Sequence, residues 1–174
     1  GYYAIQWAKI AGAKVIATAS NPEDRALCLS LGASAVVNHR DSNWSKQVLE
    51  ATGGEKINRV IDVEFGMNLP EVLECIATNG VIATYSSTVV KEPQLPFIRM
   101  MFMDITLRMV IVYAMPESAK LQAIHDINKA LEQEKLQHRI AHIVPLERVA
   151  ESHQLIEKGG FGGCVIVKMD DHSA

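Results

Sequence analysis

Two short stretches carry the side chains best suited to holding an anion: Ser20 followed one helical turn later by Arg25, and His39 beside Arg40. A guanidinium pairs with phosphate oxygens through two parallel hydrogen bonds, and an imidazole stacks or hydrogen-bonds, so the chemistry implied is phosphate and sugar recognition. Plainer readings stand beside it. Glu23 and Asp24 suit the positive end of a helix, and Arg25 fits a solvated helix face. Further on, Asn68 precedes Leu69-Pro70 as either a ligand contact or a helix cap, and Tyr85-Ser86-Ser87-Thr88 sets four hydroxyls in a row. The six histidines show no H-E-x-x-H spacing and the three cysteines no C-x-x-C, so no metal site is expected within the chain. Cys28 and Cys75 fall on apolar helix faces and read as core thiols. No Ser-His-Asp order stands out, and no catalytic residue is assigned.

The elements that must position these residues alternate. Residues 2–11 are apolar nearly all round and stop at Gly12, which reads as a mostly buried helix. Lys14 to Ala19 is a β-branched apolar run, a buried parallel strand. Asn21-Pro22-Glu23-Asp24 opens a helix with a capping amide, a proline at the first helical position and acids at the positive end of the dipole. Strands follow at 35–37, 59–63, 81–85 and 105–113, separated by helices at 44–52, 70–77 and 97–103. Apolar strands spaced by amphipathic helices require crossover connections, so the expected class is α/β with a doubly wound parallel sheet covered on both faces. After Pro116 come a charged helix at 117–136, a strand at 140–144, a helix at 146–157, a Gly-rich turn and a last strand at 165–167. A boundary near residue 115 is expected, dividing 1–115 from 116–174. In a doubly wound sheet, ligands lie outside the carboxyl ends of the strands, where Ser20, His39, Asn68 and 86–88 all fall.

The 174 residues suffice for an ordinary apolar core, and 48 % hydrophobic with 21 % charged content excludes wholesale disorder. A net charge of −3 argues against a nucleic-acid surface. The longest apolar run, Met109 to Met115, is too short to cross a bilayer, and no signal-peptide layout is visible. Three scattered cysteines fit reduced thiols, so the expected compartment is the cytoplasm.

Several stretches, taken in order, carry a family likeness: Gly1-Tyr2-Tyr3-Ala4-Ile5-Gln6-Trp7-Ala8-Lys9, Gly12-Ala13-Lys14-Val15-Ile16-Ala17-Thr18-Ala19, Leu31-Gly32-Ala33, Val37-Asn38-His39-Arg40, Phe65-Gly66-Met67-Asn68-Leu69 and Pro145-Leu146-Glu147-Arg148-Val149-Ala150-Glu151-Ser152-His153. Their order and spacing resemble the medium-chain dehydrogenase/reductase superfamily, and within it the NADPH:quinone oxidoreductase (zeta-crystallin-like) branch. The resemblance implies a Rossmann-like dinucleotide-binding domain over 1–115. Gly1 would be the last glycine of the phosphate loop, with the rest of that loop, the first strand and a GroES-like catalytic domain preceding it. Residues 116–174 would supply a linking helix and a segment returning to that domain. The 174 residues alone are then expected to bind NADPH weakly or not at all and to be inactive.

Carried across position by position, the resemblance implicates Ser20, His39, Asn68 and Tyr85-Ser86-Ser87-Thr88 in cofactor contact, with Val110-Ile111-Val112 beside the nicotinamide. Without it, Val110 to Val112 reads as sheet core. Ser86 departs from the pattern, standing where relatives usually have glycine. Cofactor choice also follows from the residues. NAD-binding units place an acid at the end of the second strand; Ser20 is neutral and leaves room for a 2′-phosphate, which Arg25 and Arg40 would pair. The expected function is hydride transfer from NADPH to a quinone-like small-molecule acceptor. Alternatives are a zinc-dependent alcohol dehydrogenase or enoyl reductase of the same superfamily, or a non-catalytic nucleotide-binding module. Met100-Met101-Phe102-Met103 reads as core or interface, and the apolar strand near 105–113 is expected to pair in a homodimer.

Overall fold

Short β-branched runs bounded by helix caps build parallel ladders throughout, because each consecutive strand is reached by a crossover rather than a hairpin. A computed structural model describes residues 1–169. The chain divides into two units, Gly1–Asn128 and the residues from Lys129 onward.

In the first unit the order is α1 (Tyr2–Ile10), β1 (Ile16–Thr18), α2 (Pro22–Ser30), β2 (Ala35–Val37), α3 (Trp44–Thr52), β3 (Ile57–Asp62), α4 (Phe65–Cys75), β4 (Ile76–Thr84), α5 (Phe97–Phe102) and β5 (Thr106–Met109). A turn of 3-10 helix, Val112–Ala114, follows, and the division at Asn128 falls within α6 (Glu117–Glu132). The second unit holds β6 (Ile140–Pro145), a 3-10 turn, α7 (Val149–Lys158) and β7 (Cys164–Lys168), with β6 and β7 parallel. The α/β class with parallel strands stands as expected.

The strands do not form one continuous ladder. β1 pairs with β2, and separately β3, β4 and β5 pair in that order, all parallel. Among the described residues, β1 and β3 each keep one unpaired edge. On β3, Ile61 remains 57 % exposed, far more than a parallel strand covered on both faces allows. Side chains nevertheless join the two ladders. Val37 of β2, Trp44 and Val48 of α3, and Phe65, Leu69, Val72 and Leu73 of α4 share one core with Ile76 and Ile82 of β4. The α4 set recurs at i, i+4, i+7 and i+8, the stripe of a helix lying flat on a sheet. A second cluster sets Ile5 of α1 against the small residues Ala17, Ala19, Ala33 and Val36.

Several local expectations are corrected. Asn21 does cap α2, accepting the Asp24 N–H at 2.8 Å, and Pro22 takes the first helical position. By contrast α4 begins at Phe65 rather than Pro70, so Pro70 lies inside the helix and Asn68 is no cap. The apolar spacing of Phe65 and Leu69 outweighs the one hydrogen bond that Pro70 cannot donate. The strand expected over 105–113 ends at Met109; Val110 adds one rung by donating to the Thr84 carbonyl at 2.8 Å, and Val112 already belongs to the 3-10 turn. Val110 to Val112 are therefore not sheet core. Helix α6 stops at Glu132 instead of 136, closed by Glu134 in the left-handed region and a Lys135 N–H to Ala130 carbonyl bond. Helix α1 buries one face only, Ile5 and Gln6, and leaves Tyr3 and Ile10 exposed. Met100 is buried, whereas Met101 and Phe102 face outward.

Candidate functional site

Register decides which residues share the carboxyl edge. Thr18 pairs with Val37 in the last described rung of β1–β2, so Ser20 and His39 leave adjacent strands at the same level. Asp62 pairs with Thr84, and Thr84 with Met109, which sets Val63, Tyr85 and Val110 at one level beyond β3, β4 and β5. The two carboxyl edges meet in a cavity of about 90 Å³ lined by Thr18, His39, Trp44, Asp62, Val63 and Asn68 among others. This is the place where a parallel α/β arrangement takes a ligand.

Asp62 organises the floor of that cavity. Its side chain is buried, and its Oδ1 accepts the Glu64 N–H at 2.7 Å and the Asn68 Nδ2 at 3.0 Å. Two donors on one oxygen hold the start of α4 against the end of β3. Asn68 thus reaches the cavity from inside the helix, and His39 lines it from an exposed position after β2.

The other expected residues are spread more widely. Ser20 is half-buried at the edge of β1; Arg25 stands exposed on α2 and Arg40 exposed after β2. The geometry brings His39 and Asn68 together and does not add Arg25 to that cavity. Gly1 caps α1 through its carbonyl, which accepts the Ile5 N–H. Of the four hydroxyls at 85–88, Tyr85 is exposed, Ser86 half-buried, and Ser87 and Thr88 are bonded inward to Gly66 and Glu64. Ile111 and Val112 are exposed beyond β5.

Sequence reasoning missed Thr18, Asp62 and Glu64. Asp62 had a signal: an acid closing the apolar run Val60-Ile61 sits at the carboxyl end where ligands bind. Glu64 had none, because its partners lie more than twenty residues away.

A larger hollow of about 410 Å³ lies between α4 and the loop before α5, lined by Leu69, Pro70, Leu73, Leu95 and Pro96. On its rim Arg99 donates to Glu74 at 2.8 Å and to the Leu73 carbonyl at 2.9 Å, and this guanidinium holds the Glu74 carboxyl below its ordinary range. Both partners are largely exposed, so the pair adds little stability. Cys75 is fully buried, and burial pushes its thiol up to about 11. Among the described residues no helix is long and apolar enough to cross a membrane.

Comparison with known proteins bears on the same region. The family model described as zinc-binding dehydrogenase matches residues 1–131. A quinone oxidoreductase of Pseudomonas aeruginosa is 32 % identical over 87 residues, covering 50 % of this chain and 27 % of the relative. The quinone oxidoreductase of Homo sapiens is 26 % identical over 161 residues, covering 91 % of this chain and 48 % of the relative. Among solved structures, an NAD-dependent alcohol dehydrogenase superposes with a TM-score of 0.79 at 30 % identity, over 96 % of this chain and 47 % of the other. The chain spans about half the length of these relatives, or less.

Proposed function

The chain belongs to the zinc-binding dehydrogenase family, and from that membership we propose that it is the cofactor-binding part of an oxidoreductase that passes hydride from NADPH to a quinone or similarly electron-poor small molecule. The observation that carries this reading is the meeting of both carboxyl edges in one cavity between His39 and Asn68, with no acid at Ser20 to take a ribose hydroxyl. The quinone oxidoreductases among its relatives supply the acceptor class.

The bound nicotinamide would supply the hydride, and the residues of this chain would bind and orient it. Ser20 leaves space for a 2′-phosphate, with Arg25 and Arg40 as its countercharges. His39 stacks or hydrogen-bonds at the adenosine, Asn68 contacts the ligand from the cavity wall, and Tyr85 and Ser86 meet the ligand at the end of β4. Gly1 contributes its backbone at the start of α1, and Val110 to Val112 hold the carboxamide by main-chain groups. Residues 1–115 form the dinucleotide-binding part in this reading, and 116–174 run to a substrate-binding domain. Among the described residues β5 keeps one unpaired edge, and Met109 and Tyr113 are exposed, which supports a homodimer; sedimentation of the wild type as a dimer and of Met109→Lys as a monomer would bear this out.

Calorimetric titration of the complete enzyme with NADPH and NADH tests the cofactor. Tighter binding of NADPH is expected, and a preference for NADH would overturn the reading of Ser20. Oxidation of NADPH by a panel of quinones tests the acceptor.

A second reading, an alcohol dehydrogenase using NAD and zinc, is favoured by the family's description and by the 30 % identical neighbour. Among the described residues, no three His, Cys, Asp or Glu side chains converge to hold a metal ion. These residues do not fit a zinc site; metal analysis of the purified protein separates the two readings.

A further inference from the structure

The loop that follows β4 is fastened to the start of α4 by a seam of hydrogen bonds that the cofactor reading does not use. The Glu64 carboxylate accepts the Thr88 N–H at 3.0 Å, the Thr88 hydroxyl and the Val89 N–H at 2.9 Å. Ser87 Oγ accepts the Gly66 N–H at 2.9 Å and donates to the Val90 carbonyl at 2.5 Å. Phe65 N–H donates to the Ser86 carbonyl at 3.1 Å. The approach is this close because residue 66 is glycine: a Cβ there would stand 2.5 Å from the Val90 oxygen and 2.8 Å from Ser87 Oγ. The Thr88 hydroxyl and the neighbouring amides hold the Glu64 carboxyl below its ordinary range. Three donors converge on the carboxylate, two from Thr88 on Oε2 and one from Val89 on Oε1, so Glu64 is committed mainly to the loop.

The seam sorts the four hydroxyls of 85–88. Those of Ser87 and Thr88 are committed to the protein, whereas the side chains of Tyr85 and Ser86 make no hydrogen bond to the described residues, and Tyr85 is 56 % exposed. Tyr85 also stands at the level of Val63 and Val110, where β3, β4 and β5 end together.

We propose that Glu64 is a positioning residue: its carboxylate fixes the 86–90 loop so that Tyr85 and Ser86, and not Ser87 and Thr88, face the nicotinamide cofactor at the ends of β3–β5. The proposal rests on the cofactor reading above and goes beyond it by dividing the hydroxyl run into two that bind ligand and two that lock the loop.

The test pairs two readouts on the complete enzyme that contains this chain, amide hydrogen exchange at Thr88 and Val89 without ligand and the affinity for NADPH. Glu64→Ala is expected to speed exchange at both amides by about tenfold or more and to weaken NADPH by about fivefold or more. Glu64→Gln, which keeps one acceptor oxygen, should recover part of both, and carries the comparison if the alanine variant does not fold. Ser86→Ala should weaken NADPH without altering exchange. Unchanged exchange in Glu64→Ala would overturn the seam, and faster exchange with undiminished NADPH affinity would reduce Glu64 to a structural role. A complete wild-type enzyme that protects both amides yet binds neither NADPH nor NADH would overturn the cofactor reading, and with it the positioning role.

Discussion

Glu71 of α4 caps α3: its Oε2 accepts both the backbone N–H of Ser45, at 3.0 Å, and the Ser45 hydroxyl, at 2.6 Å. The cap residue of α3 itself, Asn43, sits in the left-handed region at φ 56° and makes no side-chain capping bond. An acid from a neighbouring helix therefore does the work that Asn21 does locally for α2. Ser45 is buried, so its donors have no water to turn to.

Replacing Glu71 by alanine strands those two donors and removes a charge from the positive end of α3. A loss of about 1–3 kcal/mol is expected, read as a lower urea midpoint with an unchanged m-value. Glu71→Gln should lose less, because both bonds fall on one oxygen and an amide oxygen in its place still accepts them, without the charge.

Asn68→Asp would set a second carboxyl within about 3 Å of Asp62 Oδ1. Two carboxylates so placed raise the folded-state pKa of one of them above its unfolded value. The variant then matches the wild type in strongly acid solution and falls behind as pH rises from about 4 towards 7. Thermal melts across that range check the sign; a deficit that shrinks with rising pH would contradict the Asp62–Asn68 bond.

Ser20→Asp should turn cofactor preference. An acid at the end of β1 accepts ribose hydroxyls and repels a 2′-phosphate. The NADPH:NADH affinity ratio is expected to fall by about tenfold or more, measured by calorimetry. Arg25→Ala should weaken NADPH while leaving NADH unchanged.

The cysteines should label in order of burial. Cys164 is exposed, whereas Cys75 is fully buried with a thiol pushed up to about 11. At pH 8 a thiol reagent is expected to modify Cys164 promptly and Cys75 only at the rate of unfolding. Mass spectrometry of partially labelled protein reads this directly.

Local chemistry was plain along the chain wherever one residue answers to its near neighbours. Asn21-Pro22 starts α2 as read, because a cap and a fixed φ act within one turn. The alternation of short apolar runs with amphipathic stretches required parallel strands and crossovers. Errors arose where a local signal competed with packing. Pro70 looked like a helix start, yet the buried stripe from Phe65 to Leu73 carries the helix through it. The apolar run to Tyr113 looked like strand to its end, yet the β4 ladder offers its partner only four paired residues, and the rest turns away as 3-10 helix.

The sequence by itself determined the class of fold, the direction of its strands and which residues lie just past each strand. Those follow from periodicity and capping, which act over a few residues. Only the tertiary structure decided which of those positions share a cavity and which hydroxyls remain to bind. Asp62 holding Asn68, Glu71 capping Ser45 and Glu64 locking Thr88 are set by strand register and helix packing. Those depend on the whole core closing at once, and no local pattern of side chains records the result.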